Sequence, residues 1–341
     1  MADFHLLISN WYRQNHRDLP WRNTRDPYLI WLSEVILQQT RVDQGLSYYL
    51  KFAEHFPEVL DLAEADEQDV LKLWQGLGYY SRARNLHAGA KQIRDQFGGQ
   101  FPEDFNSIRS LKGIGDYTAA AISSFAFDLP HAVVDGNVYR VLSRYFDINT
   151  PIDSGTGKKM FNDLAQSLIE PEEAATHNQA IMELGALVCT PRSPQCHACP
   201  LNNSCLALQN GTIEQRPVKT KRGKVKDRYF TYLIFLDNDR TFLQKRVAKD
   251  VWQHLFQFPL IESQEPLDPA KIITRAGAVP DYLSEEITHV LSHQKIHARF
   301  AIIKQAAKNI GTDWIMVNVS DIANYPLPRL IDRYLESNGG L

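Results

Sequence analysis

The sequence lacks any segment that would insert it in a membrane, and it has almost no net charge. Its N-terminus, MADFHLLISNWYRQNHRDLPW, has no basic start followed by an apolar run, and no stretch approaches membrane-spanning length. Thirty-seven Lys and Arg stand against 40 Asp and Glu, a formal charge of −3. A polyanionic partner must therefore be met by local positive patches. We therefore expect a soluble cytoplasmic protein without a membrane partner. The length of 341 residues is sufficient for two domains.

Cysteine is scarce, and the four cysteines are confined to one short segment: Cys189, Cys196, Cys199 and Cys205. Their spacing is Cys-x6-Cys-x2-Cys-x5-Cys, with three prolines that make the loop compact, so they are predicted to form one site. Four thiolates suit tetrahedral zinc or an iron–sulfur cluster, and the spacing alone leaves both open. Disulfides are the weakest alternative, because a cytoplasmic compartment keeps thiols reduced.

The two halves of the chain differ in pattern. As far as about residue 205, apolar residues recur at helical spacing with little β-branched alternation, which predicts an all-α domain over residues 1–210. Residues 211–227 are rich in Lys and Arg and lack apolar periodicity, which is typical of a linker. Beyond them, RYFTYLIFL and RTFLQKRV predict a β-hairpin around residues 237–239, ARFAIIKQA predicts a further strand and LPRLIDRYLES a closing helix. Residues 228–341 are therefore predicted to form an α+β domain.

A glycine-containing turn is the candidate DNA-binding element. Lys112, Gly113 and Gly115 lie between two helical segments, and the glycines leave free amides at a helix N-terminus, which attract phosphate. We expect Asp116 to cap that helix and Lys112 to bind phosphate. Taken alone, the pattern is also that of an ordinary turn between helices. Twenty residues on, Asp135 interrupts an apolar stretch, where an unpaired charge is costly to bury.

Several motifs occur together in the first half. They are WLSEVILQQTRV (31–42), GLGYYSRARNL (76–86), HNQA (177–180), the glycine turn with Asp135, and the cysteine loop 189–205. This combination resembles the MutY family of helix–hairpin–helix DNA glycosylases, which are relatives of endonuclease III. The resemblance implies an all-α helix–hairpin–helix domain with a [4Fe–4S] cluster and a C-terminal α+β Nudix-like (MutT-like) domain. It also implies a monofunctional enzyme that hydrolyses the glycosidic bond of adenine paired with 8-oxoguanine or guanine in duplex DNA and so initiates base excision repair.

The resemblance also assigns roles to individual residues. Glu34 is expected to protonate N7 of the flipped adenine, and Asp135 to stabilise or trap the oxocarbenium-like sugar. Tyr117 and Asn137 are expected to support the sugar and the water. The base pocket and the wedge that fills the hole in the DNA are expected to involve Arg17, Trp21, Leu37, Gln39, Tyr79 and Gln179. In bifunctional relatives a Lys occupies the position of Tyr117, so we expect base removal without an efficient lyase step.

In the second domain, the resemblance implies recognition of 8-oxoguanine by Ser292 and His293, with Leu291 where the family has Phe. The Arg-Glu-x-x-Glu-Glu metal-binding signature of MutT-type hydrolases is absent, so we expect a Nudix-like fold without hydrolysis. The protein is expected to be a monomer associated with the nucleoid, with a repair or replication protein such as a sliding clamp as a candidate partner of the linker.

Three other functions compete with this hypothesis. The first is a glycosylase or glycosylase/lyase for damaged pyrimidines, against which Glu34, Tyr117 and the second domain weigh. The second is an iron–sulfur protein that binds DNA or senses redox state without catalysis, which loss of either acid would have favoured. The third is a nucleotide hydrolase in the C-terminal half, and the missing metal-binding signature argues against it.

Overall fold

The computed structural model describes residues 2–220, 225–291, 293–307, 311–338 and 340–341. It divides into two compact units. The first contains residues up to Glu64 together with Asn85–Lys221, and the second contains Ala65–Arg84 together with Arg222–Leu341. A helical segment from the first half of the sequence therefore belongs structurally to the second unit.

The first unit is helical, and none of the described residues before 221 forms a strand. Its helices are α1 (Ala2–Asn15), α2 (Pro27–Leu37), α3 (Val42–His55), α4 (Val59–Glu64), most of α6 (Ser81–Phe97), α7 (Phe105–Ser110), α8 (Asp116–Phe127), α9 (Gly136–Tyr145), α10 (Gly155–Leu168), α11 (Ala174–Leu187) and α12 (Leu206–Gln209). The missing helix, α5 (Glu67–Leu73), lies in the second unit. The prediction of an all-α first half is confirmed for the described residues.

Helices α8, α9 and α11 surround the part of the core that positions the site. Apolar side chains of α1, α9, α10 and α11 form one buried cluster, which includes Phe4, Val138, Phe161 and Leu184. Burial of such side chains contributes about 1.5–3 kcal/mol each. Helix α9, which Asp135 precedes, is therefore held in place by this cluster.

The motif over 31–42 spans the end of one helix and the start of the next. Helix α2 ends at Leu37 and α3 begins at Val42, and between them Gln39 has a left-handed backbone with a φ of 57°. Left-handed backbone is costly for a residue with a side chain, so it marks a position that its surroundings hold in place. Glu34, in the last turn of α2, is buried.

The second unit contains two β-sheets. The first has the strand order β4 (Leu260–Ser263), β1 (Lys226–Phe235), β7 (Gln294–Ile303) and β5 (Tyr282–Leu283), and β6 (Ile287–Val290) also pairs with β7. The second has the order β3 (Phe256–Gln257), β2 (Arg240–Lys245) and β8 (Trp314–Asn318). Among the described strands, only β1 and β7 pair in parallel. Helices α13 (Pro269–Ala276) and α14 (Arg329–Ser337) complete the α+β unit.

The predicted hairpin of the second half is wrong in its pairing. The chain does turn at residues 237–240, but β1 and β2 belong to different sheets. Alternation of apolar residues identifies a strand but not its neighbour, and here both strands contribute side chains to the same two apolar clusters although they pair in different sheets. The remaining predicted strand overlaps the end of β7, and the closing helix is α14.

Residues 211–220 of the predicted linker lie along the first unit, whereas Lys226 and Asp227 already belong to β1. Ile152 donates a backbone hydrogen bond to the carbonyl of Val218 at 3.0 Å, and the backbone N of Thr220 donates to the Asp153 carboxylate at 2.9 Å. No helix among the described residues is long and apolar enough to cross a membrane.

Candidate active site

A cavity of about 550 Å³ in the first unit brings together most of the residues that the sequence singles out. It lies between the ends of α2 and α11 and the beginnings of α8 and α9. The predicted residues in its wall are Arg17, Trp21, Glu34, Leu37, Gln39, Tyr117, Asp135, Asn137 and Gln179. Its volume is in the range of pockets that enclose a small organic group.

Glu34, in the last turn of α2, is the acid of this cavity. It is 9% exposed, and burial raises the pKa of its carboxyl to about 7. A hydrogen bond with Tyr117 lowers this pKa, and the negative charge of Asp135 raises it. Burial next to the two carboxyl groups also raises the pKa of Tyr117 well above its usual value. Near neutral pH, Glu34 can therefore hold a proton and Tyr117 remains neutral.

Asp135 immediately precedes α9 and caps it. Its Oδ1 accepts backbone hydrogen bonds from Asn137 and Val138, both at 2.8 Å, and its Oδ2 accepts one from Asn137 Nδ2 at 2.7 Å. Burial raises the pKa of the carboxyl, although these hydrogen bonds oppose the shift. The carboxylate in the apolar stretch thus has a structural role as N-cap, which the sequence argument overlooked.

Arg22 and Glu183 are charged residues of the cavity wall that the sequence analysis missed. The Glu183 side chain is 1% exposed and accepts hydrogen bonds from Arg17 Nη2 at 2.6 Å and Arg22 Nη2 at 2.7 Å. Burial raises the pKa of Glu183, but the two guanidinium groups outweigh it and lower this pKa to about 2. A signal was present, because Glu183 follows Gln179 by four residues and so shares its helix face. Gln179 in turn accepts a hydrogen bond from Tyr12 Oη.

The glycine turn connects α7 to α8. Gly113 has a φ of 82°, and a Cβ added there would lie 2.5 Å from Asn85 Cβ. Gly115 has a φ of −103° and is the N-cap of α8, so the expectation that Asp116 caps this helix is wrong; Asp116 is the first helical residue and pairs with Arg109. Lys112 is exposed. The turn therefore presents backbone amides at the start of α8, where the helix dipole favours anions.

The four cysteines line one further cavity, next to α9 and α11. Apart from Arg144, Tyr145 and Asn202, apolar residues form the rest of its wall, and burial raises the pKa of Cys199 to about 11. Arg144 Nη1 lies 3.4 Å from Cys189 Sγ and supplies positive charge there. Four thiols around one cavity are the set of donors that an iron–sulfur cluster takes.

The other predicted residues lie in the second unit. Tyr79 follows Gly78 in a turn before α6, has a φ of 47° and is 47% exposed. His293 is exposed just before β7. Ser292 lies outside the described residues.

Comparison with protein families gives three matches. Residues 32–171 match the HhH-GPD superfamily of base excision DNA repair proteins, residues 189–205 match the iron-sulfur binding domain of endonuclease III, and residues 231–337 match a NUDIX domain. The predicted fold class and the predicted [4Fe–4S] cluster are thereby confirmed.

Individual proteins agree with these matches. An adenine DNA glycosylase of Buchnera aphidicola subsp. Baizongia pistaciae is 34% identical over 333 residues, which cover 95% of this chain and 94% of that protein. An adenine DNA glycosylase of Mus musculus is 44% identical over 215 residues, which cover 60% of this chain and 42% of that protein. The solved structure of a thermostable thymine-DNA glycosylase superposes with a TM-score of 0.57 and 30% identity, covering 61% of this chain and 96% of that one.

Proposed function

The chain belongs to the family of adenine DNA glycosylases, hydrolases of base excision repair, and on this premise we propose that it removes adenine paired with 8-oxoguanine or guanine from duplex DNA. The observation that carries the proposal is the buried Glu34 carboxyl with a pKa of about 7 in the cavity that it shares with Asp135. Hydrolysis of an N-glycosidic bond requires such a pair, an acid that can donate a proton and a second carboxyl group beside the sugar.

Glu34 acts as the general acid. Adenine is a poor leaving group unless a ring nitrogen is protonated, and a carboxylic acid in a dry pocket holds its proton near neutral pH. Glu34 donates this proton to N7 of the flipped base. Tyr117, which is hydrogen-bonded to Glu34, keeps the carboxyl oriented.

Asp135 stabilises the sugar. When the base departs, the sugar becomes oxocarbenium-like, and a fixed carboxylate can stabilise or trap it. The three hydrogen bonds that cap α9 fix the Asp135 carboxylate, and Asn137 contributes two of them. Asn137 thus keeps the carboxylate in place while it supports the sugar and the water.

The part of the cavity wall around Glu183 receives the adenine. Glu183 binds the guanidinium groups of Arg17 and Arg22 and so fixes these long side chains at the cavity. Trp21, Leu37 and Gln179 complete the base pocket. Arg22 and Glu183 join the predicted residues because of this geometry.

The enzyme is monofunctional. A Lys at position 117 would attack the sugar as a Schiff-base nucleophile, and Tyr117, with its pKa raised far above neutrality, offers no such amine. Lys112 lies in the exposed glycine turn and binds phosphate together with the amides of Gly113 and Gly115.

Gln39 and Tyr79 fill the space that the flipped adenine leaves in the DNA, and both have left-handed backbones.

Ser292 and His293 read the base opposite the adenine through hydrogen bonds. Cys189, Cys196, Cys199 and Cys205 would hold the [4Fe–4S] cluster, which would supply a charged centre to their loop. The protein acts as a monomer at the nucleoid, with the linker over 211–227 as its contact for a repair or replication protein.

A single-turnover assay tests the proposal. Duplexes carry adenine opposite 8-oxoguanine, guanine or thymine, and half of each sample is treated with alkali. We expect strand scission after alkali only, in the first two duplexes only. Scission without alkali, or activity on an oxidised pyrimidine in place of adenine, would assign the chain to the lyase or pyrimidine-directed branch.

A further inference from the structure

The turn that carries Tyr79 is held in an unfavourable conformation. Gly76, Gly78 and Tyr79 have φ values of 101°, 73° and 47°. Glycine adopts such values freely, but left-handed backbone is unfavourable at a tyrosine. It persists only where the surrounding contacts hold it.

Neighbouring side chains of the second unit hold the turn from one side. Trp74 Nε1 donates to the carbonyl of Gly78 at 3.0 Å, and Arg82 Nη2 donates to the carbonyls of Leu77 and Gly78 at 3.4 and 3.3 Å. The Arg82 guanidinium also lies 5.7 Å from the ring centroid of Tyr79. These contacts set the shape of the turn, since they fix its carbonyls.

Arg84 connects the segment of the turn to the α+β part of the same unit. Its Nη1 donates to the backbone carbonyl of Gln253 at 2.7 Å, and its Nη2 lies 3.4 Å from Gln253 Oε1. Beside it, Glu67 Oε1 lies 2.8 Å from His254 Nδ1. Glu67 and Arg84 thus both contact one short turn, which lies 187 and 169 positions further along the chain.

That second turn is itself strained. Trp252 and His254 flank Gln253 and have φ values of 60° and 70°. The side chain of Arg246 braces the turn, since its Nε donates to the carbonyl of Val251 at 2.9 Å. The left-handed backbones of Trp252 and His254 thus orient the carbonyl of Gln253, which accepts the hydrogen bond from Arg84.

The second turn also contacts the strand that leads to the predicted recognition residues. The rings of Trp252 and His289 meet edge to face with centroids 5.6 Å apart. His289 lies in β6, which ends at Val290, directly before residues 291–293. A continuous series of contacts therefore runs from β6 through Trp252, Gln253 and Arg84 to the helix that begins after Tyr79.

We propose that Arg84 is a positioning residue that couples recognition of the opposite base to the placement of Tyr79. Contact of residues 291–293 with 8-oxoguanine fixes β6 and the 252–254 turn, and Arg84 transmits this restraint to the Tyr79 turn. This inference rests on the proposed function, since the wedge role of Tyr79 and the reading role of His293 belong to it. Arg84 itself contacts neither DNA nor the reacting atoms in this account.

The test compares single-turnover rates of adenine release opposite 8-oxoguanine and opposite guanine. Arg84→Met removes the hydrogen bonds and keeps most of the side-chain volume. We expect the rate opposite 8-oxoguanine to fall about tenfold, as loss of a charged hydrogen bond allows, and the rate opposite guanine to fall much less. Arg84→Lys can still reach the Gln253 carbonyl, so we expect its ratio of the rate opposite 8-oxoguanine to the rate opposite guanine to lie between those of Arg84→Met and the wild type. The matched control is Arg94→Met on the same helix, where a surface ion pair with Asp95 is lost and both rates stay as in the wild type.

A double-mutant cycle with Tyr79→Ser then separates positioning from a general structural effect. If Arg84 acts through Tyr79, Arg84→Met adds no further loss in the Tyr79→Ser background. The inference is overturned if the fold losses in rate of the two substitutions multiply in the double variant. It is also overturned if Arg84→Met lowers the rate equally on both duplexes. Should Arg84→Met not fold, as judged by its melting temperature and iron content, Arg84→Gln takes its place with the same two readouts. A wild-type enzyme that releases adenine from neither duplex contradicts the proposed function instead. Equal wild-type rates on the two duplexes, or a ratio of rates that Arg84→Met leaves unaltered, contradict only the inference.

Discussion

Tyr117, in the first turn of α8, is hydrogen-bonded to the carboxyl group of Glu34, near the end of α2. The contact joins two helices that are distant in sequence and places the acid against the beginning of α9, where Asp135 lies. Burial of Glu34 favours its protonated form, and the hydrogen bond with Tyr117 moderates this effect. The proton needed for base release is therefore available close to neutral pH.

The rate of adenine release should depend on pH through Glu34. The folded pKa of about 7 lies above the usual value of 4.5, so the active, protonated form predominates below pH 7 and is lost as the pH rises through that value. Above pH 7 we expect the single-turnover rate to fall by about a factor of ten per pH unit. Tyr117→Phe removes an interaction that lowers the pKa of Glu34, so we expect the fall in rate to begin at a higher pH. A flat profile between pH 6 and about 9 would show that Glu34 is not the proton donor.

Asp135→Asn should separate the two roles of Asp135. Asparagine is as good an N-cap as aspartate, so α9 keeps its cap while the negative charge at the sugar is lost. We expect a melting temperature equal to or above that of the wild type and a rate lower by about a hundredfold or more. Asp268→Asn, at the N-cap of α13, is the control and should leave the rate unchanged. If Asp135→Asn unfolds easily yet retains its rate, Asp135 serves only as a cap.

Sequence patterns identified the residues that lie in motifs. Asp135 and the cysteines are close in sequence to their partners, so short segments suffice to recognise them. Glu183 was missed because its partners, Arg17 and Arg22, precede it by more than 150 residues. A single acid in an apolar helix does not reveal which cation neutralises it.

The fold of the second unit was predicted only in outline. Strand positions follow from alternation, but whether β1 pairs with β2 depends on long-range packing. Likewise, nothing in residues 65–84 indicates that this helical segment joins the α+β unit. The guanidinium of Arg84 contacts the backbone carbonyl of Gln253. Every residue has such a carbonyl, so the residue types alone do not predict this contact.

Substitutions at the two glycines of the DNA-binding turn should differ. In Gly113→Ala the new Cβ meets Asn85 and the backbone is left-handed, so we expect the free energy of unfolding to fall by about 1–3 kcal/mol. Gly115→Ala meets nothing within 4 Å, and its melting temperature should match that of the wild type. Its methyl group would keep a phosphate from the helix amides, so we expect weaker DNA binding in a fluorescence anisotropy titration. Equal melting temperatures for the two variants would contradict this description of the turn.

The cysteine loop should contain iron and sulfide in equal amounts, about four of each per chain. Cys199→Ala removes one of the four thiolates, and we expect it to lose iron and sulfide and to melt at a lower temperature. Ser204→Ala in the same loop is the control and should retain both. Chemical analysis that finds one zinc per chain and no sulfide would refute the cluster.

The proton transfer from Glu34 to N7 of adenine is tested most directly by a pair of substrates. Single-turnover release is measured for adenine and for 7-deazaadenine, which lacks N7, each opposite 8-oxoguanine, with the wild type and with Glu34→Gln. We predict that the wild type releases adenine but not 7-deazaadenine, and that Glu34→Gln releases adenine at least about a hundredfold more slowly while it binds the duplex normally. Rapid release of 7-deazaadenine by the wild type, or of adenine by Glu34→Gln, would contradict the mechanism.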